Sequence, residues 1–168
     1  MTLRPLSLRG RALRLLSGRE HSRAELERKL AAHALVPDDI AALLDDLQAK
    51  GFISAQRVVE SVVHRRASRL GASRIRHELQ QKGLEPALVQ QAVARLQATE
   101  LERARAVWHK RFGAAGACNG APLPGPCPQE RARQIRFLAA RGFGGDTIRR
   151  VVAGAGDEDA PPGDEPAG

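Results

Sequence analysis

Tyrosine is absent from this 168-residue chain, and its other aromatics number five: Phe52, Trp108, Phe112, Phe137 and Phe143. A core with so few rings must be built from Leu, Val, Ile and Ala, which suits helices packed at close range. Cysteine is scarce as well. Cys118 and Cys127 are separated by eight residues, with His109 upstream, whereas structural zinc sites use pairs two to four apart and four ligands. They therefore read as two incidental thiols in a reducing compartment, and no metal or other cofactor is expected. No apolar run approaches the ~18 residues of a membrane span. Leu3, Arg4, Leu6, Leu8 and Arg9 alternate at the start without the apolar stretch of a secretory signal, so the expected location is the cytoplasm. The chain has no Gly-Lys dipeptide, which excludes a Walker phosphate loop. The five histidines stand apart from any Ser or Cys nucleophile or paired carboxylates in the sequence, and catalysis is not expected.

What the chain has in abundance is arginine. The formal charge is +8, yet the last fifteen residues hold five acids and no Lys or Arg. Residues 1–153 carry 27 basic groups against 14 acidic ones, and 23 of the 27 are Arg. A body this basic favours an anionic partner such as nucleic acid.

The second abundance is self-similarity. Shifting the chain by 49 residues lays 24–49 on 73–98 without a gap, so that Leu30 meets Leu79, Pro37 meets Pro86, Ile40 meets Val89 and Leu47 meets Leu96. A shift of 59 places Leu138, Arg141, Gly142, Phe143, Ile148 and Val152 on Leu79, Lys82, Gly83, Leu84, Val89 and Val93. A repeat at fixed offset is the signature of stacked supersecondary units. Units this small bury too little surface to stand alone, so neighbours must pack together. The expected fold is all-α: three tandem three-helix modules over 10–51, 52–98 and 99–153, forming an elongated, curved body. Residues 1–9 are expected to form a flexible, poorly ordered lead-in, 113–128 a Gly/Pro loop, and 154–168 a disordered acidic tail.

In the first module a helix is predicted over Arg11–Ser17, with Leu13 and Leu16 inward. Ser22 and Glu25 form a capping box for a helix carrying Leu26 and Leu30 and ending near His33. Pro37, Asp38 and Asp39 suit the first turn of a helix with Ile40, Leu43, Leu44 and Leu47 on one face. Phe52 and Ile53 pin the next junction, and Ser54 caps a helix over 55–70 with Val58, Val59, Val62 and Val63 inward. Gly71 breaks it, Ile75 and Leu79 repeat Leu26 and Leu30, and Pro86 opens a helix through Leu96. The third module runs from Thr99 to Phe112. After the loop it resumes over Glu130–Ala140 with Ile135 and Leu138 inward, and it ends in a helix opened by Gly145 or Asp146.

The candidate binding residues are the basic ones. Arg65, Arg66 and Arg69 share a surface, and Arg74 and Arg76 start the next helix beside His77. Lys110, Arg111, Arg131, Arg133, Arg136, Arg141, Arg149 and Arg150 recur in the third module without matching acids. The acids of the first module balance its charge. The second and third modules are thus expected to face a polyanion and the first to face protein. No base-reading element is evident, so contact should be independent of nucleotide sequence.

Arg19–Leu26 (REHSRAEL), Ile75–Gly83 (IRHELQQKG) and Arg136–Phe143 (RFLAARGF), in this order within the tripartite repeat, resemble the RecX family of recombinase regulators over residues 10–153. The resemblance implies a bacterial cytoplasmic protein that binds the RecA recombinase as a filament on single- or double-stranded DNA, and restrains its ATPase and strand exchange without being an enzyme. A monomer is expected. The loop at 113–128 and the acidic tail depart from the family pattern. The competing expectation is a standalone DNA-binding architectural or helix-turn-helix protein, for which Gln90, Gln91 and Arg95 would have to serve as readers. A nuclease would need a carboxylate or metal constellation that the sequence does not display.

Overall fold

The computed structural model describes residues 6–34, 38–113 and 127–154. Among these residues every regular element is helical: α1 (Leu8–Gly18), α2 (Arg23–Leu30) followed by a 3₁₀ turn (Ala31–His33), α3 (Asp38–Ala49), α4 (Ala55–Arg66), α5 (Ala72–Gln81), α6 (Pro86–Ala98), α7 (Glu100–Phe112), α8 (Pro128–Ala140) and α9 (Gly145–Gly154). Pro37, most of the Gly/Pro loop and the acidic tail lie outside the described residues.

Helix boundaries follow local chemistry where a cap exists. The Ser7 hydroxyl accepts from the Gly10 amide, so α1 starts three residues before the predicted Arg11. Ser22 and Glu25 form the capping box in full at the head of α2. Ser54 accepts from the Arg57 amide at 3.3 Å, and Pro128 sits in the first turn of α8, two residues ahead of the predicted start.

Two compact units divide the described chain. The first comprises residues up to 65 together with 76–92; the second comprises 66–75 together with 93 onward. In the first, Ala12, Leu26, Leu30, Ile40, Leu44, Leu47 and Ile53 form one buried cluster, with Leu8, Leu13, Leu16 and Leu43 packed against it. Burying each such Leu or Ile is worth about 1.5–3 kcal/mol. Phe52 does not pin its junction: it is 45% exposed, and Ile53 alone turns inward. Val58, Val59 and Val62 are buried, while Val63 is only half-buried. In the second unit Ala104, Leu138, Phe143, Ile148, Val151 and Val152 form the core, with Leu101, Val107, Trp108 and Phe137 against it.

Ile135 is not part of that core. It is 40% exposed, and Gln134 is buried instead. The Gln134 side-chain oxygen accepts from Trp108 Nε1 at 3.1 Å, so the indole N–H and the amide satisfy each other at the core edge.

The predicted helix over 55–70 stops at Arg66, and the cause is tertiary. A longer helix would send the Gly71 amide to the Ala67 carbonyl; instead Gly71 donates to the Arg141 carbonyl at 2.9 Å. The Ala67 and Leu70 carbonyls accept from Arg103 Nη1 at 2.9 and 2.7 Å. Arg69 therefore lies in a turn, not on a helix surface shared with Arg65 and Arg66.

The offsets of 49 and 59 reappear as contacts. In the first unit the Ser22 hydroxyl, at the head of α2, donates to the Lys82 carbonyl in the turn after α5. In the second unit the corresponding turn, Arg141-Gly142, accepts from the Gly71 and Ser73 amides at the head of α5. Gly83 and Gly142 have φ of +68° and +78°, a region that L side chains avoid. One junction is thus built twice from a helix N-terminus and a left-handed glycine turn.

Candidate polyanion-binding surface

The two units handle their charge differently. Residues 1–65 and 76–92 carry 13 Lys and Arg against 10 Asp and Glu, and four of these acids pair with cations. Arg9 and Lys50 meet Asp46, Arg23 meets Asp45, Arg57 meets Glu20, and Arg19 and Lys82 meet Glu25. Glu25 is the centre of this network. Its Oε1 accepts from Lys82 Nζ at 2.9 Å and Arg19 Nη2 at 3.0 Å, and its Oε2 from the Ser22 amide at 3.0 Å. Burial alone would raise the carboxyl pKa. The Lys82, Ser22 and Arg19 hydrogen bonds outweigh it and lower the value to about 2.

Residues 66–75 and 93–154 carry 14 Lys and Arg against only four acids, Glu100, Glu102, Glu130 and Asp146. Two of these make ion pairs within a helix: Glu130 with Arg133 at 3.5 Å and Asp146 with Arg149 at 3.2 Å. Glu100 is buried and occupied by hydrogen bonds from the Ala72 amide (2.9 Å), the Gly144 amide (3.4 Å) and the Thr147 hydroxyl (3.2 Å). Among the described residues, no carboxylate lies within ion-pair distance of Arg69, Arg74, Lys110, Arg111, Arg131, Arg136 or Arg150, and all seven are exposed.

Rigid elements hold several of these cations. Lys110 and Arg111 occupy the last turn of α7, where the helix C-terminus favours positive charge. Arg111 lies over the Phe112 ring at 5.5 Å, and Phe112 meets Phe137 edge-on at 5.1 Å. Arg141 stacks on Phe137 at 3.6 Å and donates to the Phe137 carbonyl, which leaves it half-buried and fixed. Arg131 and Arg136 project from α8 and Arg150 from α9, all exposed. In the first unit Arg65 and Arg76 are exposed as well, and Arg65 Nε donates back to the Ser61 carbonyl at 3.0 Å. Arg66 is exposed at the end of α4. On α6, Gln90, Gln91 and Arg95 are all exposed.

Two residues with structural weight escaped sequence reasoning. Arg103 donates to the carbonyls of Ala67, Leu70 and Leu96, and its burial lowers its pKa while the neighbouring Glu100 opposes that shift. His21 is only 3% exposed, and its Nδ1 has no hydrogen-bond partner. Burial, with Arg19 assisting and Glu25 opposing, holds its pKa below the usual histidine range. Neither carries a local pattern: the partners of Arg103 stand up to 36 residues away. No group of three or more His, Cys, Asp or Glu suited to a metal ion occurs among the described residues, and no described helix is long and apolar enough to cross a membrane.

Family models described as the first, second and third three-helix domains of RecX match residues 9–52, 56–93 and 98–152. The chain belongs to the RecX family. A relative named regulatory protein RecX from Leptothrix cholodnii is 54% identical over 147 residues, 88% of each chain. Another of that name, from Ralstonia nicotianae, is 48% identical over 162 residues, 96% of each chain. The crystal structure of RecX from Lactobacillus salivarius shares the fold, with a TM-score of 0.70 at 20% identity, covering 88% of this chain and 94% of that one. Membership in this family of regulatory proteins fits an all-helical chain of three three-helix domains.

Proposed function

We propose that this chain is a non-enzymatic regulator of the RecA recombinase, acting as a monomer in the cytoplasm. It binds the RecA–DNA filament and restrains ATP hydrolysis and strand exchange. The observation that carries the reading is the set of exposed cations in the second unit with no carboxylate within ion-pair distance among the described residues, whereas in the first unit Arg9, Arg19, Arg23, Lys50, Arg57 and Lys82 are paired with its own acids. Guanidinium groups without an ion pair among the described residues are available to phosphate, which they bind bidentately. The contact is to backbone phosphate and therefore independent of base sequence. Membership in a family whose relatives are named regulatory proteins supports a regulatory role over a catalytic one.

The test is ATP hydrolysis by the cognate recombinase on single-stranded DNA with this protein titrated in. Hydrolysis should fall as the protein is added, and charge reversal at Arg69, Arg74, Arg131 and Arg136 should remove the effect while helical content is kept. Unchanged hydrolysis with the native chain rules the reading out.

A further inference from the structure

The first unit contains a cleft of about 630 Å³, a volume within the ~300–1,000 Å³ of binding pockets for small ligands. Its walls combine two chemistries. Arg11, Arg14, Arg19, Lys29, His21 and His33 supply basic groups, and among the described residues no Asp or Glu lines it. Leu6 and Leu15 supply an accessible apolar side, with the fully buried Leu30 behind them. Elsewhere in this unit Arg23 is paired with Asp45 and Arg57 with Glu20. Here only Arg19 is spoken for, by Glu25. Among the described residues, Arg14 and Lys29 are exposed with no carboxylate within ion-pair distance, and the Arg11 side chain donates to the Leu6 carbonyl at 3.1 Å. His21 adds a buried ring whose Nδ1 lies 4.0 Å from Glu25 Oε2, outside hydrogen-bond reach, and has no other partner. Buried polar atoms are ordinarily satisfied, and exceptions mark sites that something else completes.

We infer that this cleft binds a short acidic peptide segment of a partner protein, with an aliphatic side chain against Leu6 and Leu15 and flanking carboxylates on Arg11, Arg14 and Lys29. A nucleic-acid backbone would answer the cations but leave the leucine side without an apolar complement; a peptide of Glu or Asp with Leu answers both. The contact lies within the first unit and needs none of the second unit's arginines. Its fate is therefore separate from that of the ATP-hydrolysis experiment.

The probe is a fluorescein-labelled peptide of about ten residues combining Glu, Asp and two Leu, titrated with the full chain by fluorescence anisotropy. Single-stranded oligonucleotide is present at saturation, to occupy any nonspecific phosphate-binding surface. Saturable binding is expected. It should weaken about tenfold or more in Arg14→Glu/Lys29→Glu, and several-fold when the two Leu of the probe become Ser. Circular dichroism of the variant should match the native chain, because both residues are exposed. No binding with oligonucleotide present would overturn the proposal, as would equal binding by a folded variant or indifference to loss of the probe's leucines. If the variant misfolds, the Leu-to-Ser probe and displacement by inorganic tripolyphosphate still decide. Displacement at equal concentration would identify a phosphate site and reject the peptide.

Discussion

Gly71 and Gly142 meet backbone to backbone: a Cβ built on Gly71 would lie 2.1 Å from the Gly142 carbonyl oxygen. Two amides cross this contact, Gly71 to the Arg141 carbonyl and Ser73 to the Gly142 carbonyl. The neighbouring atoms are main chain, so they cannot move aside as a flexible side chain would. Gly71→Ala should therefore destabilise the second unit by about 3 kcal/mol or more, beyond the usual cost of overpacking. At Gly142 the φ of +78° and an approach of 2.8 Å to Arg74 add backbone strain to crowding, so Gly142→Ala should cost a comparable amount, about 2–3 kcal/mol. Urea denaturation followed by circular dichroism measures both. Gly18→Ala, with nothing within 4 Å of the new methyl, is the neutral control.

The repeat was legible because it is carried by residues whose roles are local. Ser22 with Glu25, the buried pairs Leu26/Leu30 and Ile75/Leu79, and Pro86 at the head of α6 each announce themselves within one turn. The residues misread were decided at a distance. The helix after Ser54 ends early because Arg103 and Arg141 engage its last turn, and no reading of 55–70 contains those partners. Ile135 yields its inward place to Gln134 because Trp108, 26 positions earlier, offers a donor there. The candidate surface was legible as charge but not as geometry. Arginine clustering marked the second unit, yet sequence could not say that Arg103 serves the fold while Arg131 and Arg136 stay exposed, with no carboxylate partner among the described residues.

Arg103 carries a prediction of its own. Its planar fork reaches the Ala67 and Leu70 carbonyls through Nη1 and the Leu96 carbonyl through Nη2, while Nε contacts Thr99. Lysine offers one point of donation and cannot serve these carbonyls at once. Arg103→Lys should therefore cost about 2–3 kcal/mol, as charge-assisted bonds to partly buried carbonyls are lost. Hydrogen exchange should show faster opening around Gly71 than at α9. An exchange pattern unchanged from the native chain would count against the role given to Arg103.

Acid should weaken the first unit before it reaches an ordinary carboxylate limit. Glu25 titrates near 4.5 when unperturbed and at about 2 in the fold, a depression worth on the order of 3 kcal/mol. A depressed carboxylate stabilises above its unfolded pKa, and that contribution is lost as pH falls from about 4.5 toward 2. His21 adds to the trend. Its pKa is lowered from 6.5, so the unfolded chain takes up that proton first and stability declines as pH drops below 6.5. Glu25→Gln should remove the lower of the two phases and leave the upper one. Chemical denaturation at a series of pH values separates them.

The charge asymmetry makes the last prediction quantitative. If the exposed cations of the second unit contact phosphate, the logarithm of DNA affinity should fall linearly with the logarithm of salt, with a slope near −0.7 per phosphate neutralised on single strands. Each of Lys110→Gln, Arg111→Gln, Arg131→Gln, Arg136→Gln and Arg150→Gln should weaken binding by a similar factor on any DNA sequence, and should reduce the slope by about 0.7. Arg9→Gln and Arg23→Gln, whose charges already face Asp46 and Asp45, should leave the slope unchanged. Fluorescence anisotropy with mixed-sequence oligonucleotides across a salt series reads both quantities. The contrast between the two groups decides the matter: net charge alone would make all seven substitutions equivalent, whereas phosphate contact by unpaired guanidinium and ammonium groups separates them.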